Sequence, residues 1–315
     1  MTDRLDPSGT HPSASQAQSV QPALKLADKG RFEGCLGQVY RASHGDCEVL
    51  VLSDGYFFLP SEVVLPDARP MQRKDIEERL GATGGCFATS VNVPVLIRGD
   101  EVIVFDVGGG GRFRPTEGRL FANVLAAGLD PLAITRVVLT HAHPDHIWGI
   151  THDDGGLRFP NATYYIAPAE WDFWTNPDFS SANPAALLPF AEGARRSFDA
   201  IRDQVVMLRP GSEVVTGLHA MQTPGHTPGH LSFVLDGREP LIITGDALTN
   251  ELVSVEHPAW RFGNDTDADL AVRTRLRLLD YLASSRSKLL AAHFTYPGTG
   301  TVHRKGDGYR FTALS

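Results

Sequence analysis

The chain has 315 residues and is poor in several things. No apolar run approaches the roughly 18 residues that a membrane-spanning helix needs, which excludes such a helix. Three cysteines, Cys35, Cys47 and Cys86, form no C-x-x-C pair and cannot make a disulfide framework, so a reducing compartment fits. Positive charge is in deficit: 29 Lys and Arg stand against 37 Asp and Glu, a net −8 that argues against a general nucleic-acid binder. The first thirty residues lack an apolar h-region, so export by the general pathway is not expected and a cytoplasmic location is. Rich in Ser, Gln, Pro and Ala, residues 1–30 read as a disordered leader or an arm that packs on a partner subunit. What the chain does have is the profile of a globular protein, 42% apolar and 21% charged. No composition break follows residue 30, so 31–315 reads as one domain.

From residue 45 onward, short apolar runs alternate with turns. Residues 48–53 predict a strand that ends in an Asp54-Gly55 turn. Residues 92–98 and 101–106 flank Gly99-Asp100 as a hairpin. Residues 116–127 place Leu120, Val124 and Ala127 at helical spacing before Gly128. Further strands are expected at 136–140, 163–167, 218–222, 231–235, 241–244 and 288–292. Residues 267–282 predict a helix capped by Asp267, with Leu270, Leu278 and Tyr281 along one side. A tight turn is expected at 306–308. Strands and helices without a strict βαβ rhythm suggest sheets sandwiched between helices, an α/β (α+β) class.

The chemistry is concentrated after the strand RVVLT, where His141, His143, Asp145 and His146 form H-x-H-x-D-H. Imidazole and carboxylate are ligands for divalent cations. On a helix His141 and His143 would point nearly opposite ways, whereas on a loop leaving a strand all four can converge. His226 lies in the turn TPGHTPGH, Asp246 follows the strand LIIT, and His293 follows LLAA. Each stands where an apolar strand gives way to a loop, the place where scaffolds present binding residues. Five histidines and two aspartates suffice for two metals with positions left for water. A ligating histidine gives its other N–H to an acceptor, and Asp106 at the end of EVIVFD is the expected one. His230 is expected to be a buried structural histidine beside the ligands. Gly108–Gly111 lack the Lys-Ser/Thr of a P-loop and read as a flexible loop near the site.

The ordered set H-x-H-x-D-H, then His, Asp and His, resembles the metallo-β-lactamase superfamily. The segments LSDGYFFLP, FDVGGGGRFRPTEGRL, THAHPDH, GHTPGH, AAHFTYPG and KGDGYRF are similar to its methyl parathion hydrolase-like and lactonase members. The resemblance spans about residues 46–314 and implies a four-layer αβ/βα sandwich with metals at one edge of the sheets. It implies one metal on His141, His143 and His226 and another on Asp145, His146 and His293, with Asp246 bridging. The metals would be two divalent ions per chain, zinc by default, with Mn, Fe or Co also suited. It further implies a homodimer and Phe113, Trp174 and Phe190 as pocket aromatics. Trp148, Trp171 and Phe58 are further aromatic candidates. Thr249 stands where compact lactonases place a tyrosine after the bridging aspartate. The common zinc β-lactamases put cysteine at the Asp246 position, and the helical region that glyoxalase II carries after its last ligand has no room here.

The expected activity is therefore hydrolysis of a small, lipophilic ester by a metal-bridging hydroxide, with Asp145 or Asp246 taking its proton. An organophosphate triester leads, and a lactone of the acyl-homoserine type is the alternative. From other classes, a mononuclear iron persulfide dioxygenase or a metal-stabilised scaffold without activity would share the ligands.

Overall fold

The computed structural model describes residues 39–314, so Cys35 and the leader expected at 1–30 lie outside the described residues. Two seven-stranded sheets form the centre. The first runs in sequence order: β1 (Tyr40–His44), β2 (Cys47–Pro60), β3 (Cys86–Arg98), β4 (Glu101–Phe105), β5 (Arg136–Val138), β6 (Thr163–Ile166) and β7 (Val205–Met207). The second holds β8 (Glu213–Val215), β9 (Leu218–Gln222), β10 (Leu231–Leu235), β11 (Leu241–Ile243), β12 (Lys288–Leu290), β13 (Thr299–Lys305) and β14 (Gly308–Ala313) in reverse order.

The period-two alternation of a strand sorts the apolar side chains into layers. Val49, Val51, Ile103, Phe105 and Val138 point inward against Phe233, Leu241, Ile243 and Leu290 of the other sheet. Their neighbours Leu50, Leu52, Val104 and Val137 point outward beneath α2 (Leu120–Ala126) and α5 (Leu188–Ala200). Ile242 and Leu289 point to the opposite outer face, under α6 (Ala268–Ser285). Helix, sheet, sheet, helix is the expected four-layer sandwich. The remaining helices that matter are α1 (Pro70–Leu80), α3 (Pro144–Ile147) and α4 (Pro168–Thr175).

β4, β5 and β6 are parallel, as are β11 and β12. The loops after β4, β5, β11 and β12 therefore open from carboxyl ends of parallel strands, and these carry Asp106, His141–His146, Asp246 and His293. The hairpin at Gly99-Asp100 and the tight turn at 306–308 stand as expected, and β10 and β11 form a further antiparallel pair.

Four expectations need correction. Asp54-Gly55 is not a turn: β2 continues to Pro60 with an irregularity between Ser53 and Gly55. Gly55 adopts φ 127, and a side chain there would strike the Thr116 carbonyl. Asp54 is fully buried and accepts backbone N–H groups from Gly109 (2.9 Å), Gly118 (3.1 Å) and Leu120 (2.8 Å). These bonds also explain why α2 begins at Leu120 and not at 116, since the preceding residues are folded around the carboxyl. They likewise pin Gly108–Gly111, so that segment is a packed loop and not a flexible one. Finally, Asp267 does cap α6, but Tyr281 is exposed; the buried face includes Thr274 and Arg275, polar residues that an apolar pattern misses.

Burial pushes the Asp54 carboxyl up to about 6 from 3.8, although its three N–H donors work the other way. Between about pH 6 and 4 the folded chain thus binds a proton there that the unfolded chain releases, so this group stabilises the fold as pH falls. The variant D54N should be less stable by about 1–3 kcal/mol near neutrality. That deficit should widen on going from pH 7 to pH 5, measured by urea unfolding at both. A deficit that stays constant between the two would mean the carboxyl ionises at its ordinary value, and one that shrinks would place it below that value.

Candidate functional site

The seven expected side chains meet. His141, His143, Asp145, His146, His226, Asp246 and His293 are all buried at the strand ends. Their ligand atoms form three overlapping groups: His141 with His143 and His226; His141 with His146 and Asp246; and Asp145 with His146 and His293. Within each group the atoms lie within 4.8 Å of one another. Asp246 is the hub. Its carboxylate oxygens lie 3.1 Å from His293 Nε2, 3.3 Å from the Nε2 atoms of His146 and His226, and 4.0 Å from that of His141. Asp145 lies 3.3 Å from His293 and 3.4 Å from His146.

The outer nitrogens of these rings are committed to fixed acceptors. His146 Nδ1 donates to Asp106 Oδ2 (2.8 Å), His293 Nδ1 to the Ser90 carbonyl (2.8 Å) and His226 Nδ1 to Asp265 Oδ1 (2.9 Å). His141 Nδ1 lies 3.0 Å from Thr140 Oγ1, whose own proton goes to Asp106. Every Nε2 of these four rings is left facing inward. His141 Nε2 is buried with no hydrogen-bond partner. His226 Nε2 comes within 2.9 Å of His143 Nδ1, and His146 Nε2 within 3.4 Å of His293 Nε2. Nitrogen lone pairs brought this close repel unless positive charge lies between them. The donor set therefore fits divalent cations.

Electrostatics point the same way. Burial alone would raise Asp145 and Asp246, yet the histidines around them hold both carboxyls well below the usual range. Burial opposes charge on His226 too, but its bonds to Asp246 and Asp265 lift it to about 9; at His293 the Asp246 charge lifts the ring to about 10. Two ionised carboxylates out of water demand cations beside them.

The support residues are equally buried. Asp106 sits at φ 62, a left-handed conformation that Asp tolerates better than most residues. Its carboxylate accepts from Thr140 N and Oγ1, both at 2.8 Å, and from His146. His230 accepts the Asp246 N–H at Nε2 (2.9 Å) and holds Thr223 Oγ1 at 2.8 Å through Nδ1. Burial, reinforced by the nearby His226, lowers it to about 3, so it acts as a neutral brace.

Three supports had no sequence signal. Glu170, on α4, accepts from Ala142 N (2.9 Å), Trp174 Nε1 (2.7 Å), Thr227 Oγ1 (2.6 Å) and Gly229 N (3.1 Å). It thus ties the 141–146 loop to the 223–230 turn. Asp265 holds His226 and lies 3.4 Å from Arg275, a buried residue of α6. Only the folded chain brings these groups together, although Asp265 does lie in a polar run just ahead of a capped helix.

The aromatic expectations divide. Phe113 and Phe190 are half-buried, 5.9 Å apart, and Phe190 lies 5.9 Å from His143. Phe57, not anticipated, joins them, 5.8 Å from Phe113 and 5.6 Å from His293. Trp148 packs on the same two rings. Trp174, expected to contact substrate, has no exposed surface; its indole N–H belongs to Glu170 and its ring stacks on Phe179. It backs His143 from within the core. Trp171 stacks on Phe198 in the same core. Thr249 is buried, its backbone N–H donated to Ser254 Oγ at 3.1 Å. Phe58 lines a cleft that also includes Arg79, Ser90 and His293 of the centre.

Comparison with known proteins places the chain by family and fold. Residues 87–293 match the model of the metallo-beta-lactamase superfamily. The N-acyl homoserine lactonase AttM of Agrobacterium fabrum is 30% identical over 135 residues, 39% of this chain and 45% of that protein. The chain thus spans less than half the length of that relative. Two solved structures are similar over 88% of this chain and 97% of theirs, each at 27% identity. They are hydrolase AbOPH of the beta lactamase superfamily, at a TM-score of 0.83, and AidC, a dizinc quorum-quenching lactonase, at 0.81.

Replacing the Glu170 carboxylate with an amide would turn an NH2 group towards two of its four donors. We expect E170Q to lose about 2–3 kcal/mol of stability in urea unfolding of chelator-treated protein. Wild-type stability would show that the four bonds do not brace the loops.

Proposed function

The chain belongs to the metallo-β-lactamase superfamily, and from that premise we propose that it is a hydrolase of small, lipophilic esters, lactones first, that works with a pair of divalent cations. The observation that carries this reading is the convergence of seven buried ligand side chains from separate strand ends. His141, His143 and His226 would hold one cation, and Asp145, His146 and His293 the other. Asp246 approaches histidines of both sets, which supports its place between the two. Three overlapping groups of ligand atoms favour a dinuclear centre over a single iron. Imidazole and carboxylate suit zinc, our default, and also Mn, Fe and Co.

Bound there, such a pair polarises an ester carbonyl or phosphoryl oxygen and lowers the pKa of a coordinated water towards about 7. The chain's own groups do the rest. Asp106, Asp265, Thr140 and Ser90 hold the imidazoles in orientation. Asp246, whose Oδ1 has no hydrogen-bond partner, and Asp145 are the carboxylates placed to take the attacking water's proton. Phe57, Phe113 and Phe190 form an apolar wall beside His143 and His293, suited to a lipophilic substrate.

Lactones lead because AttM and AidC bear lactonase names. Phosphotriesters are the second reading, supported by the aromatic rings grouped beside a neutral substrate's reacting centre. Thr249 offers no phenol at the position where compact lactonases have one, so a lactone carbonyl would be oriented by other groups.

Metal-reconstituted protein should contain about two metals per chain, and H226A should retain about one while losing more than about 100-fold in kcat/KM. Against acyl-homoserine lactones, methyl paraoxon, aryl acetates and a cephalosporin, the lactones should give the highest kcat/KM. Methyl paraoxon in first place would reverse the substrate order. One iron per chain with oxygen uptake would overturn the hydrolase reading.

A further inference from the structure

Asp246 lies 3.1 Å from His293 Nε2, yet the two side chains stand on separate loops, one after β11 and one after β12. The pairing of those strands ends at Ile243 and Leu290 and reaches neither residue. Something beyond the sheet must hold the loops together. On the loop that carries Asp246, Glu251 reaches across to the loop that carries His293. Its Oε2 accepts the Thr295 N–H at 2.8 Å and its Oε1 the Thr295 hydroxyl at 2.9 Å. The turn that presents Glu251 is itself fixed. Asn250 Oδ1 accepts the N–H groups of Leu252 (3.0 Å) and Val253 (2.9 Å), and Ser254 Oγ those of Thr249 (3.1 Å) and Asn250 (3.2 Å). On the other side the Thr295 carbonyl accepts the Gly298 N–H at 2.8 Å, closing a tight turn just past His293. Glu251 and Thr295 also line the cleft that reaches His293, so this clamp is open to water. Exposed hydrogen bonds add little to global stability, and the value of this pair lies in where it holds the chain.

We propose that Glu251 is a positioning residue: through Thr295 it holds His293 against Asp246, and so sets how tightly the cation on Asp145, His146 and His293 is kept. The assignment rests on the two-cation reading above. Asp246 has its own anchor in the bond from its N–H to His230, so loosening the clamp frees the His293 side. The other cation, on His141, His143 and His226, takes no ligand from the Thr295 loop. Removing a group bonded directly to a ligand commonly costs about 10- to 100-fold in metal affinity. Glu251 acts one step further out, through the backbone, and its effect should be smaller.

The test dialyses full-length, zinc-loaded protein against rising chelator and counts the metal retained. E251A should give up one cation at a chelator concentration about three- to tenfold below that of wild type, and keep the other at the wild-type value. In the H226A background, which retains the His293-side cation, adding E251A should weaken the one that remains. E251Q should behave as wild type, because its Oε1 still accepts the Thr295 N–H while its NH2 group donates to Thr295 Oγ1. If E251A does not fold, T295V decides: it deletes one of the two bonds and should weaken the same cation alone. Equal weakening of both cations, with a lower urea midpoint in chelator-treated protein, would mark a merely structural role and overturn the assignment. A retention profile identical to wild type would overturn it too, and in both cases the two-cation reading would stand. A wild type that binds a single cation would overturn that reading and the assignment with it.

Discussion

Two aspartates that remain ionised out of water set the terms for the rest of this molecule. Asp145 and Asp246 are buried, and their charge is tolerable only where cations or protonated imidazoles lie against them. Five histidine rings surround them, and rings packed with lone pairs turned towards each other are themselves repulsive. Such a centre holds its shape only if the scaffold leaves its parts nowhere else to go. The sandwich provides that by ending four apolar strands at one edge, so the reactive side chains inherit the rigidity of a continuous core.

Strand ends fix positions to within a loop's freedom, and a second set of buried polar groups removes that freedom. Each ties together segments far apart in sequence. Asp106 joins the end of β4 to Thr140 and His146. Glu170 joins the 141–146 loop to the 223–230 turn, and His230 carries the connection on to the Asp246 backbone. Asp265 links His226 to Arg275 on α6. Asn92 on β3 donates to the carbonyls of Ala291 and Phe294, holding the loop that carries His293. Satisfied networks of this kind specify one arrangement because any alternative strands a buried polar atom. The packing of Gly108–Gly111 follows the same logic: small residues there admit the Asp54 and Glu117 carboxyls, and with them in place the loop has little room to move.

How much of this could be read from the chain depends on the range of the interaction. Alternation along β2, β4 and β11 and turn residues such as Gly99-Asp100 are local, and so the layered fold was legible. The seven clustered side chains were legible because one run, His141 to His146, is too dense for a solvated turn and the other three follow apolar strands. Asp106 and His230 were readable for the same reason, each lying beside a ligand-bearing strand end. Asp54 looked like a turn residue because Asp-Gly is a turn signal; its three N–H partners lie more than fifty positions away. Glu170, Asp265 and Arg275 gave no signal, since a carboxylate on a helix or in a loop reads as solvated until tertiary structure encloses it. Trp174 erred in the opposite direction. The family resemblance implied that it lines the pocket, but the Glu170 carboxylate claims its indole N–H and holds it inside.

The wall that does face the centre has consequences for selectivity. Phe57, Phe113 and Phe190 present edges and faces that favour apolar groups of many shapes, so taken alone they would discriminate weakly among esters. Strong discrimination requires a polar group that is penalised when the wrong molecule binds. Thr249 is turned to Ser254 and Trp174 to Glu170, so neither is free for that role. Trp148 Nε1 also lacks a partner, but a side chain at Gly193 would run into the indole, which places that edge against α5. Glu117 is buried beside Gly109 and Phe113 with neither carboxyl oxygen hydrogen-bonded.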